Sequence, residues 1–270
     1  MLGTDLVRAG RDAGHEVVAL GHHELDVTDA EGVAGGIAGE RPDVVVNCAA
    51  YTAVDAAEAD EATATAVNGE GARAVAAGAA RSGAGVAYVS TDYVFDGTKP
   101  EPYVESDAPA PRSAYGRSKL AGERATADAN PSHWVVRSSW LFGRAGGNFV
   151  ETMLSLGASR DELRVVDDQV GSPTYTRHLA EALVRLVESP AYGIHHLAGG
   201  GSCSWHRFAV AILAGAGVDA RVVPCTTAEH PRPAQRPAFS VLDTERSTGI
   251  RLPGWQEGLA GYLDERRAAA

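Results

Sequence analysis

The chain has 270 residues, of which 44% are hydrophobic and 22% charged, and its formal net charge is −11 at pH 7. This length suffices for one large α/β unit, or for a cofactor-binding domain with a smaller lobe. The negative charge argues against nucleic acid as a partner, because binding to a phosphate backbone requires a basic surface. A small anion could still be bound by a local group of arginines; candidates near the predicted site are Arg137, Arg144, Arg177, Arg232 and Arg236.

No apolar run approaches the roughly 18 residues that a membrane span needs, so we expect a soluble protein without a membrane partner. The amino-terminal residues lack the basic end and apolar stretch of a secretory signal, which predicts a cytoplasmic location. Cys48, Cys203 and Cys225 are few, odd in number and widely spaced. This pattern favours reduced core thiols over a disulfide framework or a structural zinc site.

Predicted strands and helices alternate through the first half of the chain. A first helix is predicted over residues 5–13, and Ala-rich polar stretches predict helices over 63–82 and 118–129. Short runs rich in Val, Ala and Leu lie between them and predict buried strands. This alternation is typical of a doubly wound α/β fold, a parallel sheet with helices on both faces. The predicted strands are 16–20, 43–48, 86–90 and 134–138.

The pattern becomes less regular after about residue 146, where a smaller substrate lobe is predicted. Helices are expected over 148–156 and 177–188, with a strand over 193–197. Prolines within 224–237 indicate an extended segment over the surface or the mouth of a site. We predict a dinucleotide-binding domain over 1–145, to which about 177–198 returns, and a substrate lobe made mainly of 146–176 and 199–270.

The strongest chemical signal is a tyrosine and a lysine four residues apart, Tyr115 and Lys119, preceded by Thr91 at the end of a predicted strand. At this spacing both side chains lie on one face of a helix. An ammonium close to a phenol lowers the phenol pKa from about 10 toward neutrality. Tyr115 is therefore predicted to protonate a carbonyl oxygen as hydride arrives, while the Thr91 hydroxyl polarises the same oxygen.

Seven segments spread along the chain form a specific combination, although each alone would be common. They are residues 25–29, 47–55, 90–97, 115–119, 137–143, 168–174 and 236–243. The combination resembles the dTDP-4-dehydrorhamnose reductase family of the extended short-chain dehydrogenase/reductases. The resemblance implies a Rossmann-like doubly wound sheet. It also implies NAD(P)H-dependent reduction of the 4-keto group of dTDP-4-dehydro-L-rhamnose, giving dTDP-L-rhamnose.

The same resemblance implies roles for individual residues. Thr91, Tyr115 and Lys119 would be the catalytic residues, with Lys119 also holding the nicotinamide ribose. Asp26 and Val27 would flank the adenine. The full set of residues implied to contact the cofactor is Gly3, Asp26, Val27, Ala49, Ala50, Tyr51, Val89, Tyr115 and Lys119.

Four residues are implied to contact the nucleotide sugar: Thr91, Asp92, Trp140 and Arg236. An indole offers a flat apolar wall for a deoxysugar and one donor for a hydroxyl, which suits Trp140. A guanidinium binds a diphosphate through paired hydrogen bonds, which suits Arg236. The alternatives are that Trp140 is a core residue between domains and that Arg236 is a surface arginine beside prolines.

The cofactor preference depends on the residues after the second predicted strand. An acidic residue there would bind the NAD ribose, and a basic one the 2′-phosphate of NADP. His22 and His23 give neither signal, so NADPH is only slightly preferred and NADH stays possible. Adjacent histidines on a strand point to opposite faces, so no zinc site is predicted. The sequence leaves Mg²⁺ dependence and a homodimer open.

The beginning of the sequence departs from the expected dinucleotide-binding unit. Such a unit begins with a buried strand and a Gly-rich turn whose amides hold the pyrophosphate. Here Met1 and Leu2 lead directly into the first predicted helix, and Gly3 resembles the last glycine of that turn, as if the start codon were placed too far downstream. We expect the sheet to lack its first strand, leaving edges unpaired and weakening cofactor binding or stability.

Other functions stay open. Nucleotide-sugar epimerases and dehydratases share the Tyr-Lys spacing, but a dehydratase typically has an Asp-Glu pair after the Thr, whereas Tyr93 follows Asp92 here. A reductase of another nucleotide-linked 4-keto deoxysugar also fits. A non-catalytic binding or regulatory subunit is the alternative from another class, and the presence of the Thr, Tyr and Lys argues against it.

Overall fold

The structure is a computed structural model that describes residues 1–269. Its helices in chain order are α1 (Leu2–Asp12), α2 (Ala30–Glu40), α3 (Val54–Ala57), α4 (Glu61–Thr65), α5 (Ala72–Arg81), α6 (Ala114–Ala129), α7 (Phe149–Gly157), α8 (Thr176–Val187), α9 (Trp205–Ala216) and α10 (Trp255–Ala268). Its strands are β1 (Val44–Asn47), β2 (Gly85–Thr91), β3 (His133–Ser138), β4 (Leu141–Phe142), β5 (Glu162–Val166), β6 (Val170–Gly171), β7 (Thr174–Tyr175), β8 (Gly193–His196), β9 (Cys203–Ser204) and β10 (Arg221–Cys225). A π-helix (Ala66–Gly71) joins α4 to α5, and 3-10 turns cover Asp92–Val94 and Thr227–Glu229.

The main sheet is parallel, with the strand order β1-β2-β3-β8. Its strands are rich in Val and Ala because both faces of the sheet are covered. In the register of β2 and β3, Thr91 lies beside Ser138 at the carboxyl end. Ligands bind at this end of open parallel sheets, so the fold places Thr91 where a site is expected.

Hydrophobic cores lie on both faces of the sheet. On one face Ala87 and Val136 pack with Leu183 of α8 and Leu2 of α1. On the other face Val86 packs against α2 and α5. Successive residues of a strand point to opposite faces, which explains why neighbouring positions of β2 belong to different cores. The predicted doubly wound α/β fold is confirmed.

A third core belongs to the carboxyl-terminal half. Phe142, Phe208 and Tyr262 are fully buried in it, with side chains from α7, β5, α9 and α10. Strands β5 and β10 pair in parallel, apart from the main sheet. The domain boundaries inferred from the sequence stay a prediction. None of the helices in residues 1–269 is both long and apolar enough to cross a membrane.

Two predicted elements differ from the structure. Residues 16–20 form no strand, because no described strand lies beside them to complete a hydrogen-bonded ladder, and Val18 and Leu20 are about half exposed. The helix predicted over 63–82 is present but is interrupted by the π-helix at Ala66–Gly71. In the described sheet β1 pairs only with β2, and β8 only with β3, so these two strands form its edges.

Candidate active site

The first part of the candidate site is the carboxyl end of β2. Thr91 caps the following 3-10 turn: its Oγ1 accepts from the Tyr93 amide at 3.2 Å and donates to Asp92 Oδ1 at 3.0 Å. Asp92 is buried, and its Oδ2 has no hydrogen-bond partner among the described residues. Burial raises the pKa of Asp92 to about 6, although hydroxyl hydrogen bonds act in the opposite direction. A buried carboxylate oxygen without a partner is uncommon and is often found at functional sites.

Tyr115 lies in the first turn of α6, directly beside this strand end. The helix begins there because Ser113 accepts a hydrogen bond from the Gly116 amide at 3.1 Å, as an N-cap residue does. A side chain at Gly116 would collide with the Tyr93 carbonyl oxygen, so glycine permits the close approach of the two segments. The rings of Tyr93 and Tyr115 make an edge contact, with centroids 5.6 Å apart.

The lysine of the predicted pair is fully buried one turn later in α6. Lys119 Nζ donates to the Val89 carbonyl at 2.7 Å and lies 4.1 Å from the centroid of the Tyr88 ring. Burial lowers the pKa of Lys119 to about 7, while the Glu123 carboxylate acts in the opposite direction. Cation–π contact and one backbone acceptor therefore replace the hydration of the ammonium.

The pKa of Tyr115 differs from the value that the sequence suggested. Burial raises this pKa to about 12, a hydrogen bond with the Thr91 hydroxyl opposes the shift, and the charge of Asp92 adds to it. The expectation that Lys119 lowers the phenol pKa toward neutrality is wrong for this structure. The reason is that burial disfavours both the phenolate and the ammonium, and the Lys119 ammonium faces Val89 and Tyr88.

The buried ammonium predicts a pH dependence of stability. Because the folded-state pKa of Lys119 is about 7 and its ordinary value is 10.5, the unfolded chain binds more protons between these values. The unfolding free energy should therefore rise with pH in this window, by up to about 1.4 kcal/mol per pH unit from this group. Denaturant unfolding from pH 7 to 9 should show a smaller rise in Lys119→Met than in the wild type. Equal slopes would contradict the assignment.

Asn68 is a candidate residue that the sequence did not reveal. Its Oδ1 accepts from the Tyr51 amide at 2.8 Å, and its Nδ2 donates to the Tyr51 carbonyl at 3.1 Å and to Ser118 Oγ at 2.9 Å. Ser118 Oγ in turn donates to the Tyr115 carbonyl at 2.8 Å. Asn68 thus ties the loop after β1 to the first turn of α6. It lies in the π-helix, a feature often found at functional sites that residue periodicity does not predict.

The loop after β1 carries three of the residues predicted to contact the cofactor. The Ala49 amide donates to Asn47 Oδ1 at 3.0 Å, and Ala50 is half buried. Tyr51 packs, as Tyr115 does, against a small apolar cluster that includes Ala114. The structure thus brings Tyr51 and Tyr115 to the same cluster.

Three other predicted cofactor residues make contacts of their own. The Asp26 carboxylate accepts from the Thr28 amide at 2.9 Å and from its hydroxyl at 2.8 Å, and Val27 packs on Gly71 of the π-helix. Gly3 lies in α1, with Cys48 as its nearest neighbour across the fold. A cavity of about 260 Å³ opens beside Val27, and its lining includes Thr28, Ala66, Glu70, Arg73 and Ala77.

Trp140 has an unusual backbone and an unusual partner. Its φ is +49°, in the left-handed region, which costs a residue with a side chain about 1–2 kcal/mol. Its indole stacks on that of Trp205, with centroids 3.4 Å apart and planes 4° from parallel. Both tryptophans are only half buried. Strain maintained by surrounding contacts is typical of a ligand-binding position.

Arg236 forms a paired salt bridge with Asp55. Its two terminal nitrogens lie 2.5 and 2.9 Å from the two carboxylate oxygens, and the Ala234 amide donates to the same carboxylate at 3.2 Å. The Arg236 guanidinium holds the pKa of Asp55 below its usual range. The contact links the proline-rich segment before Arg236 to α3. Burial raises the pKa of Tyr93, while the charge of Arg236 lowers it and that of Asp55 raises it.

The other arginines considered for anion binding are engaged elsewhere or exposed. Arg137 is fully buried in a salt bridge with Glu123, so it is not available to a ligand. Arg144 and Arg177 pair with carboxylates on the surface, and Arg232 is exposed. Within residues 1–269, no three His, Cys, Asp or Glu side chains lie close enough together to hold a metal ion.

Comparison with known proteins supports the assignment of the family. Residues 1–268 match the family model described as the RmlD substrate binding domain. A dTDP-4-dehydrorhamnose reductase of Sinorhizobium fredii is 45% identical over 256 residues, which cover 90% of this chain and 86% of the relative. The spore coat polysaccharide biosynthesis protein SpsK of Bacillus subtilis is 42% identical, over 99% of this chain and 95% of the relative.

Solved structures agree with these relatives. A dTDP-4-dehydrorhamnose reductase from Clostridium acetobutylicum has a TM-score of 0.96 and 42% identity, covering 98% of this chain and 96% of that chain. The enzyme of the same name from Bacillus anthracis, in complex with NADP, has a TM-score of 0.95 and 39% identity, covering 98% and 95%. The chain therefore belongs to the RmlD substrate binding domain family, and its predicted resemblance to the dTDP-4-dehydrorhamnose reductases is confirmed.

Proposed function

We propose that the protein uses NADPH to reduce the 4-keto group of dTDP-4-dehydro-L-rhamnose, giving dTDP-L-rhamnose. The observation that carries this proposal is that Thr91 lies at the carboxyl end of β2, with Tyr115 and the buried Lys119 on successive turns of the helix α6 that packs beside it. Relatives of 42–45% identity bear the name of this reductase. NADPH is preferred over NADH because the similar Bacillus anthracis structure is in complex with NADP.

The residues at the strand ends fit a polar cofactor. Ser138 Oγ, at the carboxyl end of β3, is buried and has no hydrogen-bond partner among residues 1–269, and a cavity opens beside Val27. A nicotinamide dinucleotide offers hydroxyl and amide groups to such atoms, and when bound it supplies the hydride. We propose that Gly3, Asp26, Val27, Ala49, Ala50, Tyr51, Val89, Tyr115 and Lys119 hold it.

The chemistry of the chain itself is proton donation. With its pKa raised to about 12, Tyr115 keeps its phenolic proton at neutral pH, which is the state from which it must protonate the substrate oxygen. The Thr91 hydroxyl, at the end of β2, is proposed to orient the same oxygen. Lys119, on the next turn of α6, is proposed to hold the cofactor rather than to lower the phenol pKa.

Substrate binding is proposed for three further residues. Asp92 offers its unpartnered oxygen to a sugar hydroxyl, and Trp140 offers an apolar surface to the deoxysugar ring. Arg236 contacts the diphosphate, which would replace the Asp55 carboxylate as the partner of its two terminal nitrogens. A homodimer and a dependence on Mg²⁺ stay open.

The direct test is NADPH consumption with dTDP-4-dehydro-L-rhamnose. A relative from Streptomyces niveus, 42% identical, is named dTDP-4-keto-6-deoxy-D-glucose reductase, so that sugar is the informative competitor. We expect the higher kcat/KM with the rhamnose precursor and with NADPH rather than NADH. A preference for the competitor would assign another 4-keto sugar. Folded protein that turns over neither would favour the non-catalytic alternative.

Arg236→Lys tests the proposed contact with the diphosphate. Lysine keeps the charge but cannot form two parallel hydrogen bonds, so the affinity for dTDP should fall by roughly tenfold. Titration calorimetry with dTDP measures this change. Arg232→Lys is the matched control, because Arg232 is exposed four positions earlier, and it should leave the affinity nearly unchanged. Equal losses in both variants would contradict a specific role for Arg236.

A further inference from the structure

The indole of Trp140 is held by one residue of a short antiparallel strand pair and by the residue that directly follows the pair. Strands β6 and β9 pair so that Gly171 lies opposite Cys203 and Val170 opposite Ser204. Trp205 follows directly and begins α9. Gly171 and Trp205 contact the Trp140 ring from opposite sides: Trp205 covers one face, and Gly171 lies over the other face near Cε2 and Nε1.

Trp205 is itself anchored on a buried aromatic cluster. Its ring centroid lies 4.5 Å from that of Phe149 and 6.4 Å from that of Phe208, which is fully buried. Its backbone is fixed by the start of α9, where Ser204 accepts from the Arg207 amide at 3.1 Å. These contacts fix the position of the Trp205 ring, and stacking on that ring in turn fixes the position of the Trp140 ring.

The backbone of Trp140 is fixed by the adjoining segment. The Thr174 amide donates to the Trp140 carbonyl at 3.1 Å, and the Ser139 hydroxyl donates to the Ser172 carbonyl at 2.7 Å. These contacts hold the left-handed backbone but do not fix the ring. Two parallel rings 3.4 Å apart leave no room for a ligand between them, and Gly171 covers part of the other face, so a sugar can reach only the part of the indole that Gly171 leaves exposed.

We propose that Trp205 is a positioning residue for sugar recognition, which holds the Trp140 ring against Gly171 so that the exposed part of the indole meets the deoxysugar. This inference rests on the proposed function, because it assigns the support of that same site. Gly171 is also needed for this position of the Trp140 ring, since any side chain at residue 171 would collide with the indole. Loss of an aromatic pair of this kind should weaken binding of the sugar by up to about tenfold.

The first experiment tests the stack without any ligand. Two parallel indoles in contact give an exciton couplet in the far-ultraviolet circular dichroism spectrum. The chain has four tryptophans, so each can be replaced in turn. We expect the couplet to disappear in Trp140→Phe and Trp205→Phe and to persist in Trp134→Phe and Trp255→Phe, whose rings lie elsewhere in the fold. A couplet that survives the first two substitutions would overturn the stack.

The second experiment separates sugar binding from nucleotide binding. Dissociation constants for dTDP-L-rhamnose and for dTDP are measured by calorimetry on wild type, Trp205→Leu and Gly171→Ala. Leucine fills the space without a ring to stack, and Gly171→Ala displaces the indole while leaving Trp205 in place. Both variants should lose up to about tenfold in affinity for dTDP-L-rhamnose and little for dTDP.

The outcomes distinguish this inference from the proposed function. The positioning role is wrong if Trp205→Leu binds dTDP-L-rhamnose as tightly as the wild type does. It is also wrong if the wild type binds dTDP-L-rhamnose no more tightly than dTDP. Failure of the proposed function appears instead in turnover. Suppose that the wild type reduces no 4-keto sugar, but that its preference for dTDP-L-rhamnose over dTDP is lost in Trp205→Leu. That result would retain the positioning role and refute the reductase.

Discussion

Tyr115→Phe is expected to lower turnover of the 4-keto sugar by about 10²- to 10⁴-fold while leaving the fold intact and changing NADPH binding far less than turnover, since the other proposed cofactor residues are unchanged. The substitution removes only the hydroxyl that donates the proton. The ring keeps its place against Tyr93 and the alanine cluster beneath α6. Steady-state kinetics with NADPH, together with NADPH titration of each variant, measures the two effects separately.

Tyr192→Phe is the matched control for this substitution. Tyr192 is 41% exposed and packs on Trp134 at the amino-terminal end of the main sheet, opposite the candidate site. Its variant should retain wild-type turnover. If Tyr115→Phe kept turnover within a few-fold of the wild type, another group would be the proton donor and the proposed mechanism would be wrong.

The second large effect is expected from the buried ion pair of Arg137 and Glu123. The guanidinium donates to both carboxylate oxygens, at 2.9 and 2.7 Å, and the Ser90 hydroxyl donates to the same carboxylate at 2.5 Å. Arg137 is 1% exposed and lies 5.0 Å from the centroid of the Phe95 ring. Arg137→Met leaves a buried carboxylate without its cation, so the unfolding free energy should fall by about 3–5 kcal/mol.

Denaturant unfolding of three variants tests this expectation. Arg177 and Glu181 form an exposed pair of the same chemistry in α8, so Arg177→Met should change the unfolding free energy by at most about 0.5 kcal/mol. The double variant Glu123→Leu/Arg137→Met removes both charges and should recover much of the loss. A loss in Arg137→Met no larger than in Arg177→Met would show that the pair contributes little.

The sequence predicted those features of the fold that depend on local pattern. The strands over Val86, Val135 and their neighbours are buried runs between amphipathic helices, and the structure has them in one parallel sheet. Residues 16–20 have the same apolar character but form no strand, since a strand requires hydrogen bonds to a neighbour that residue pattern cannot supply. The apolar pattern of the sequence therefore predicted correctly only those strands that have a neighbouring strand in the described sheet.

In the candidate site, too, some features follow from the sequence and others only from the folded structure. The pairing of Tyr115 with Lys119 follows from helix geometry, and the position of Thr91 follows from the end of a parallel strand, so the sequence by itself determined these three residues. The family resemblance also follows from the sequence, because its seven segments are specific in combination.

Only the tertiary structure decided the environment of these residues. Burial sets the pKa of Tyr115 at about 12 and that of Lys119 at about 7, whereas spacing alone suggested a lowered phenol pKa. Contacts between distant segments pair Arg236 with Asp55, remove Arg137 from solvent and stack Trp140 on Trp205. Desolvation and long-range contact depend on what the folded chain places around a residue, and a linear pattern does not contain that information.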